Sequence, residues 1–519
     1  PAAPTLAGNR HPASLSAKGP RPIAAMVTGT DGYNPEELCW YHCQYGGVMM
    51  DSRHETRTEA VMRAIRERVA ARQLAPGDRL PSIRRCAAAM KVSPSTVVEA
   101  YDRLAAEGLV RARPGSGFYL TGHGLPPLSL APPASARAVD PFWVSRQSLD
   151  AEADTLKPGC GWLPASWMPN EALRRGLRNL ARGDAVALTD YGSTRGSLPL
   201  RRLLLGRFAE EGLRLTPEQL LLTSSGTQAI DLVCRLLLQP GDAVLVDDPC
   251  YFNFRALLRA HQLRLLSVPY TPNGPDLAAF ENVVGAERPR LYLTNAALHN
   301  PTGVTVSPQV AYRMLRVAAA HDMIIVEDEI FADFEPEPSP RLAVLDGLDR
   351  VIRIGSFSKT LSASVRCGYV AARPDWIEGL VDLQIATSFG GPSPIACGLI
   401  ADLLAGGGYR KHMEDVRRRL ARARRSEAAR LQALGIRPWL MPRGGFYLWC
   451  RLPEGVDAAE LSRLALSEGV VLAPGNVFSV GQSAGEFMRF NVAQMQEQRV
   501  HEVLERALRR LQSSERAAE

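Results

Sequence analysis

The chain has 519 residues, 46% of them hydrophobic and 22% charged, with a formal net charge of +7. That length is too great for one hydrophobic core and predicts two to four structural units of roughly 100–200 residues each. No apolar run reaches the ~18–20 residues of a membrane-spanning helix, so no membrane partner is expected, and nine cysteines dispersed without a Cys-x-x-Cys pair exclude a disulfide framework and fit a reducing, cytoplasmic compartment.

The first residues are rich in Pro and Ala, with no apolar core behind Arg10 or Arg21. No signal peptide is therefore expected, and 1–57 reads as a disordered extension. Cys39, His42, Cys43 and His54 lie close together but meet no recognised ligand spacing, so no metal is expected there. From Thr58 to Gln73 apolar residues recur at Val61, Ile65 and Val69, the spacing of a helix, and Leu74-Ala75-Pro76-Gly77 ends it. A second helix opens at Pro81-Ser82-Ile83-Arg84-Arg85 and runs to about Met90. A third has Ser93 as its N-cap and Pro94 at its first position, and runs to Glu107. Leu109–Arg113, the turn Pro114-Gly115-Ser116-Gly117 and Phe118–Leu120 make a β-hairpin. Three helices and a hairpin in that order describe a winged helix-turn-helix, which lays one helix in the major groove and holds phosphates with flanking cations. Local charge agrees. Residues 58–121 carry eleven Lys/Arg against six Asp/Glu, an excess that suits a polyanion such as double-stranded DNA.

Residues 122–154 are rich in Pro, Ala and Ser and read as a linker. Beyond Thr155, helices alternate with short apolar strands at Gln219–Thr223, Ala243–Val246, Arg290–Thr294, Met323–Val326, Val351–Ile354 and Gly368–Ala371. That alternation predicts an α/β domain over about 180–407, with a mostly parallel sheet covered on both faces. A long basic helix, about Gly408–Ala433, leads into a smaller α+β domain ending near 512; its run Arg417 to Arg425 reads as an exposed face.

The chemistry-bearing residues gather at predicted strand ends, where open α/β sheets bind ligands. Ser356-Phe357-Ser358-Lys359 follows one strand and Arg366 precedes the next. Asp328 ends a third, His299-Asn300-Pro301-Thr302-Gly303 follows a fourth, and Ser224-Ser225-Gly226-Thr227-Gln228 joins a fifth to a helix. Each position suits pyridoxal 5'-phosphate. Lys359 can attach to the cofactor aldehyde, Asp328 can pair with the pyridine nitrogen, and Asn300 can donate to the phenolic oxygen. Ser225, Gly226 and Thr227 offer a helix N-terminus to the phosphate, with Ser356, Ser358 and Arg366 as further donors.

Two resemblances follow from these motifs. Residues 58–121 resemble the GntR family through Pro76-Gly77-Asp78-Arg79-Leu80-Pro81-Ser82, Val92–Val97, Leu104–Val110 and Gly115-Ser116-Gly117. The resemblance implies DNA contacts from Arg84 on the second helix, Ser95 and Thr96 on the recognition helix, and Arg111, Arg113, Gly115 and Gly117 on the wing. Ser95 and Thr96 can equally serve only to cap the helix, and Arg84 with Arg85 can form a solvated face. Pro94 and Val98 stand where family members often carry Arg.

Residues 155–512 resemble fold-type-I aminotransferases. This implies Tyr251 stacked on the cofactor ring, Tyr191 reaching the phosphate of a neighbouring subunit in a homodimer, and Arg489 binding a substrate carboxylate. Plain packing for Tyr251 and a structural ion pair for Arg489 are the alternatives. One departure stands out: Ile330 and Phe331 occupy the positions where such enzymes place a tyrosine after the strand-end aspartate. The fusion of both parts looks like the MocR subfamily of GntR regulators, in which a small amine or amino acid effector would act through the cofactor on operator binding. A working aminotransferase with an accessory DNA-binding domain is the other reading.

Overall fold

The computed structural model describes residues 56–70, 74, 78–113, 116–121, 139, 141–152, 154–183 and 186–518. Residues 1–55 of the extension expected over 1–57, the Cys39/His42/Cys43/His54 group, the Pro76-Gly77 break, Gly115 and residues 122–138 of the linker lie outside them, whereas Thr56 and Arg57 already belong to the start of the first helix. The chain divides into two compact units, Pro1–Leu130 and Ala131–Glu519. Among the described residues no helix is long and apolar enough to cross a membrane.

In the first unit, α1 (Arg57–Ala70), α2 (Ile83–Met90) and α3 (Pro94–Ala106) precede an antiparallel ribbon of β1 (Val110–Arg113) and β2 (Gly117–Leu120). Local chemistry fixes the helix starts. Glu59 N–H donates to Thr56 Oγ1 (3.3 Å) while Thr56 N–H donates back to Glu59 (2.8 Å), a reciprocal cap. Ser93 accepts from Thr96 N–H at 3.2 Å, just ahead of Pro94. The helical spacing then buries Val61, Ile65, Val97, Ala100 and Leu104 against Val110 and Leu120. Tyr101 joins that core and satisfies its hydroxyl on Pro81 O at 2.9 Å. Leu80 N–H donates to Phe118 O (2.8 Å) and Leu120 N–H to Asp78 O (2.9 Å), so the segment before α2 adds to the ribbon.

The second unit is built on two sheets. β3 (Leu220–Thr223), β4 (Ala243–Asp248), β5 (Arg264–Thr271), β6 (Gly274–Pro275), β7 (Leu291–Thr294), β8 (Ile324–Asp328), β9 (Val351–Ser356) and β10 (Gly368–Ala371) lie in the order β3-β10-β9-β8-β7-β4-β5-β6. The neighbours β9-β8-β7-β4-β5 are parallel, β10 is antiparallel to both β3 and β9, and β6 is antiparallel to β5. The sheet is therefore mixed but mostly parallel, as expected: six strands run one way, and β10 and β6 run the other. Alternate residues serve opposite faces. Leu220, Leu222, Leu245, Tyr292 and Ile325 enter one core, and Leu221, Val244, Val246, Leu291 and Val326 the other.

The smaller sheet, β11 (Arg437–Pro438), β12 (Tyr447–Arg451), β13 (Ala473–Pro474) and β14 (Phe487–Asn491), has the order β11-β12-β14-β13 and is antiparallel throughout. The stretch before residue 163 belongs with it. Leu156 N–H donates to Gly469 O (3.0 Å) and Gly159 N–H to Val471 O (2.9 Å).

Two expectations are corrected. The linker does not extend to 154, since Pro141–Leu149 is a helix whose Trp143 and Val144, 3% and 2% exposed, pack among Phe252, Trp449 and Phe478. Nor is the arginine run simply an exposed face. On the helix Gly408–Ala433, Arg424 is 8% exposed and donates to Gly445 O at 2.6 Å and Arg443 O at 3.3 Å. Arg417 donates to Asp333 O at 3.0 Å, and Arg419 lies 4.0 Å over the Trp167 ring.

Candidate functional site

β3 runs in the same direction as β9, and β10 in the opposite one. The carboxyl ends of β3, β7, β8 and β9 and the amino end of β10 therefore share one edge of the sheet, which opens on a cavity of about 180 Å³. Ser225, Gly226, Thr227, Tyr251, Asn300, Asp328, Ser356, Ser358, Lys359 and Arg366 all line it. Ten residues picked from six separate stretches of sequence thus meet at one place.

At one end of this cavity the groups suit an anion. Ser225 caps the helix Gly226–Leu237 by accepting from Gln228 N–H at 3.0 Å, which leaves the first turn of N–H groups of Gly226 and Thr227 facing the edge. Ser356 Oγ and Ser358 Oγ are 3.0 Å apart, and Ser358 N–H donates to Ser356 Oγ at 3.2 Å. Arg366, held at φ +53, has no carboxylate partner among the described residues.

Elsewhere in the cavity sit two groups whose protonation burial has displaced. Asp328 is 5% exposed, accepts from Ile330 N–H at 3.1 Å, and is pushed up to about 6, chiefly by desolvation. Lys359 is pushed down to about 8; burial is the main cause, Cys160 opposes it, Arg489 reinforces it, and Asp328 opposes it. The loop that presents Asn300 is anchored from below. His299 lies 3.3 Å from the buried Asp247 and stacks on Tyr270 at 3.9 Å, while Asp247 also accepts from Thr294 (2.7 Å) and Tyr292.

Arg489 and Tyr191 are not among the lining residues. Arg489 is 1% exposed, donates to Asn300 Oδ1 (2.8 Å) and Gly159 O (2.7 Å), and lies 4.3 Å over the Tyr447 ring. Among the described residues no carboxylate pairs with it, so the ion-pair alternative does not apply. Tyr191 is 82% exposed, edge-on to Phe389 at 5.0 Å. Sequence reasoning missed Gly161, Asn253, Phe254 and Tyr447, which also line the cavity. Tyr447 stands two residues past Gly444-Gly445, a glycine pair that could have marked it; Gly161 carries no comparable signal.

In the first unit, Arg84, Arg85, Arg111 and Arg113 are exposed and have no carboxylate partner among the described residues. Two cations of α1 and α3 are paired instead: Arg66 with Glu107 (2.6 Å) and Arg103 with Glu99 (2.5 Å). Ser95 and Thr96 both place their hydroxyls 2.8 Å from Ser93 Oγ, so capping occupies them in part. Arg113 lies 4.5 Å over the Tyr119 ring, and Gly117, at φ +107, holds a turn that other residues adopt only with strain.

The comparisons with known proteins agree with this arrangement. Residues 163–506 match the model for aminotransferases of class I and II, and residues 57–120 match that for bacterial regulatory proteins of the gntR family. The chain is 30% identical to the HTH-type transcriptional regulator YdcR of Escherichia coli (strain K12), over 83% of this chain and 93% of that one. It is also 30% identical to the 2-aminoadipate transaminase of Thermus thermophilus, over 69% and 91% of the two chains. The crystal structure of LysN, the alpha-aminoadipate aminotransferase of Thermus thermophilus, matches with a TM-score of 0.65 at 29% identity, covering 71% of this chain and 95% of LysN. The chain therefore belongs to the aminotransferase class I and II family, among the gntR-type transcriptional regulators that carry such a domain behind a winged helix-turn-helix, the arrangement of the MocR subfamily.

Proposed function

We propose that this protein is a DNA-binding transcription regulator whose second unit holds pyridoxal phosphate on Lys359 and responds to a small amine or amino acid. The observation that carries the reading is the convergence of Lys359, Asp328, Asn300 and an unpaired Arg366 beside a helix N-terminus in one cavity of a chain that also bears a gntR-type domain. The donor set fits the cofactor: a dianion cradle, a buried carboxyl and a desolvated amine are the three polar partners that a phosphorylated pyridine aldehyde requires.

When bound, pyridoxal phosphate supplies an aldehyde that reacts reversibly with primary amines. Lys359, lowered to about 8, keeps a substantial neutral fraction near neutral pH and so serves as nucleophile and exchangeable anchor. Asp328 holds a proton, or a charge, against the ring nitrogen from the end of β8. Ser225, Gly226, Thr227, Ser356, Ser358 and Arg366 bind the phosphate, Tyr251 covers the ring, and Asn300 donates to the phenolic oxygen. Arg489, held by Asn300 and Gly159, offers its guanidinium to an effector carboxylate. An effector shifts DNA affinity only through contacts that differ between two conformations. In the first unit Arg84 meets base edges, Ser95 and Thr96 meet the major groove, and Arg111, Arg113 and the glycine turn meet phosphates. Tyr191 and Phe389, which meet edge-on at 5.0 Å and are 82% and 67% exposed, form an apolar surface suited to a second copy of the chain.

The test is a DNA titration of the full-length protein at several salt concentrations, with and without a panel of amines and amino acids. Salt-dependent affinity that an amine alters, and that Lys359→Ala renders insensitive to the amine, is expected. Affinity that no amine alters refutes the sensor reading. The kinship with the 2-aminoadipate transaminase favours a second reading, an active aminotransferase, which incubation with amino acids and a keto acid decides through the appearance of the new keto acid.

A further inference from the structure

We propose that Tyr447 donates a hydrogen bond, from the first residue of β12 in the smaller domain, to the phenolic oxygen of the group carried on Lys359; this rests on the reading of Lys359 as the cofactor lysine. Tyr447 is 4% exposed and lines the cavity. A Cβ built on Gly161 falls 3.1 Å from Tyr447 Oη and 3.7 Å from Lys359 Nζ, so both atoms face one spot, and a glycine keeps that spot open. The hydroxyl has no hydrogen-bond partner among the described residues. The hydroxyl opens on the cavity, so its donor is available to whatever group occupies that cavity.

Its neighbours hold it in place. The Arg489 guanidinium covers the ring at 4.3 Å, and the Phe331 and Phe446 rings lie at 5.4 Å and 4.5 Å. Arg489 also donates to Asn300 Oδ1, which ties the tyrosine to the other polar group assigned to the same oxygen. Just upstream, Arg424 pins the turn through the carbonyls of Gly445 and Arg443. The loop after Asp328 brings only Ile330 and Phe331 to the cavity, neither with a side-chain donor. Burial pushes the Tyr447 hydroxyl above its ordinary value, so it stays protonated and acts as a donor. A donor at the phenolic oxygen stabilises its anion and weakens the hold on the proton it shares with the adjacent nitrogen. Removing the donor raises the pH at which the bound chromophore changes colour.

The experiment is a spectrophotometric pH titration of the full-length protein loaded with pyridoxal phosphate. Tyr447→Phe is expected to raise the midpoint by about one pH unit or more, a tenfold change in proton affinity. Phe331→Tyr added to that variant is expected to bring the midpoint back down. Gly161→Ala, which thrusts a methyl between the two atoms, serves as an independent variant and is expected to raise the midpoint as well. A coloured wild type whose midpoint neither Tyr447→Phe nor Gly161→Ala moves overturns the role of Tyr447 alone. A wild type that borohydride does not label at Lys359 overturns the cofactor reading, and this inference with it.

Discussion

Lys359 offers the most direct test of the site, because its amine can be titrated before any cofactor is added. Its pKa falls from the ordinary value of 10.5 to about 8, chiefly because burial penalises the ammonium, with Cys160 opposing, Arg489 reinforcing and Asp328 opposing. At pH 7.5 an amine of pKa about 8 is roughly one-quarter neutral, whereas one at 10.5 is neutral about once in a thousand molecules; the buried lysine is then ~200-fold richer in nucleophile. Competitive acetylation of cofactor-free protein across pH 6 to 11, read by mass spectrometry at the Lys359 peptide against the exposed Lys411, reports that midpoint. Asp328→Asn removes a carboxylate that favours the ammonium, so the midpoint is expected to drop further. A midpoint near 10 in the wild type, or a rise in Asp328→Asn, refutes the account. Linkage gives the same sign. Between pH 8 and 10.5 the unfolded chain binds a proton that the folded one does not, so stability climbs with pH through that window. Lys359→Met should therefore stabilise the cofactor-free protein below pH 8, an advantage that fades as the pH approaches 10.5.

Asp328→Asn should weaken retention of pyridoxal phosphate at least about tenfold in equilibrium dialysis, since it removes the only charge assigned to the ring nitrogen. Arg424, which has no carboxylate partner among the described residues and is lowered to about 10 by burial, still donates to two carbonyls; Arg424→Met should cost ~1–3 kcal/mol in urea unfolding by orphaning them. Gly117→Val should cost about 1 kcal/mol or more in thermal unfolding, because valine at φ +107 is strained. Arg111→Ala should weaken binding to all duplexes alike and flatten its salt dependence, whereas Arg84→Ala should cost ~1–3 kcal/mol at specific sites only.

What the sequence disclosed was local. Ser356-Phe357-Ser358-Lys359, the strand-end Asp328 and the Ser225-Gly226-Thr227 turn are short strings whose chemistry is complete in themselves, and each landed in the cavity. The features that escaped depend on distant partners. β5 begins at an exposed arginine and contains Pro269, so neither alternation nor a clean apolar run announced it. The reversed direction of β10 is set by its neighbours and leaves no periodic trace. Trp143 made a helix of a stretch whose composition upstream argued for a linker. In the arginine run, Arg417 and Arg424 are seven residues apart, two helical turns, and they share a face with Met413 and Leu420; that spacing held the clue that the run was not all surface.

Two acids, Glu327 and Asp328, end β8 and a third, Glu329, follows it, and the alternation of the backbone divides their labour. Glu327 turns to the helix Leu342–Asp346 and accepts its first N–H groups, from Leu342 at 2.9 Å and Ala343 at 2.8 Å. Glu329, on the same side, meets Arg341 at 3.2 Å and Arg353 at 2.5 Å. Asp328 alone turns to the cavity. A one-residue insertion or deletion upstream in the strand would preserve every carboxylate and yet exchange their duties, presenting two glutamates to the cavity and burying an aspartate among arginines too far for its shorter arm. The frame of this strand, more than the count of its charges, decides which carboxylate the cavity receives.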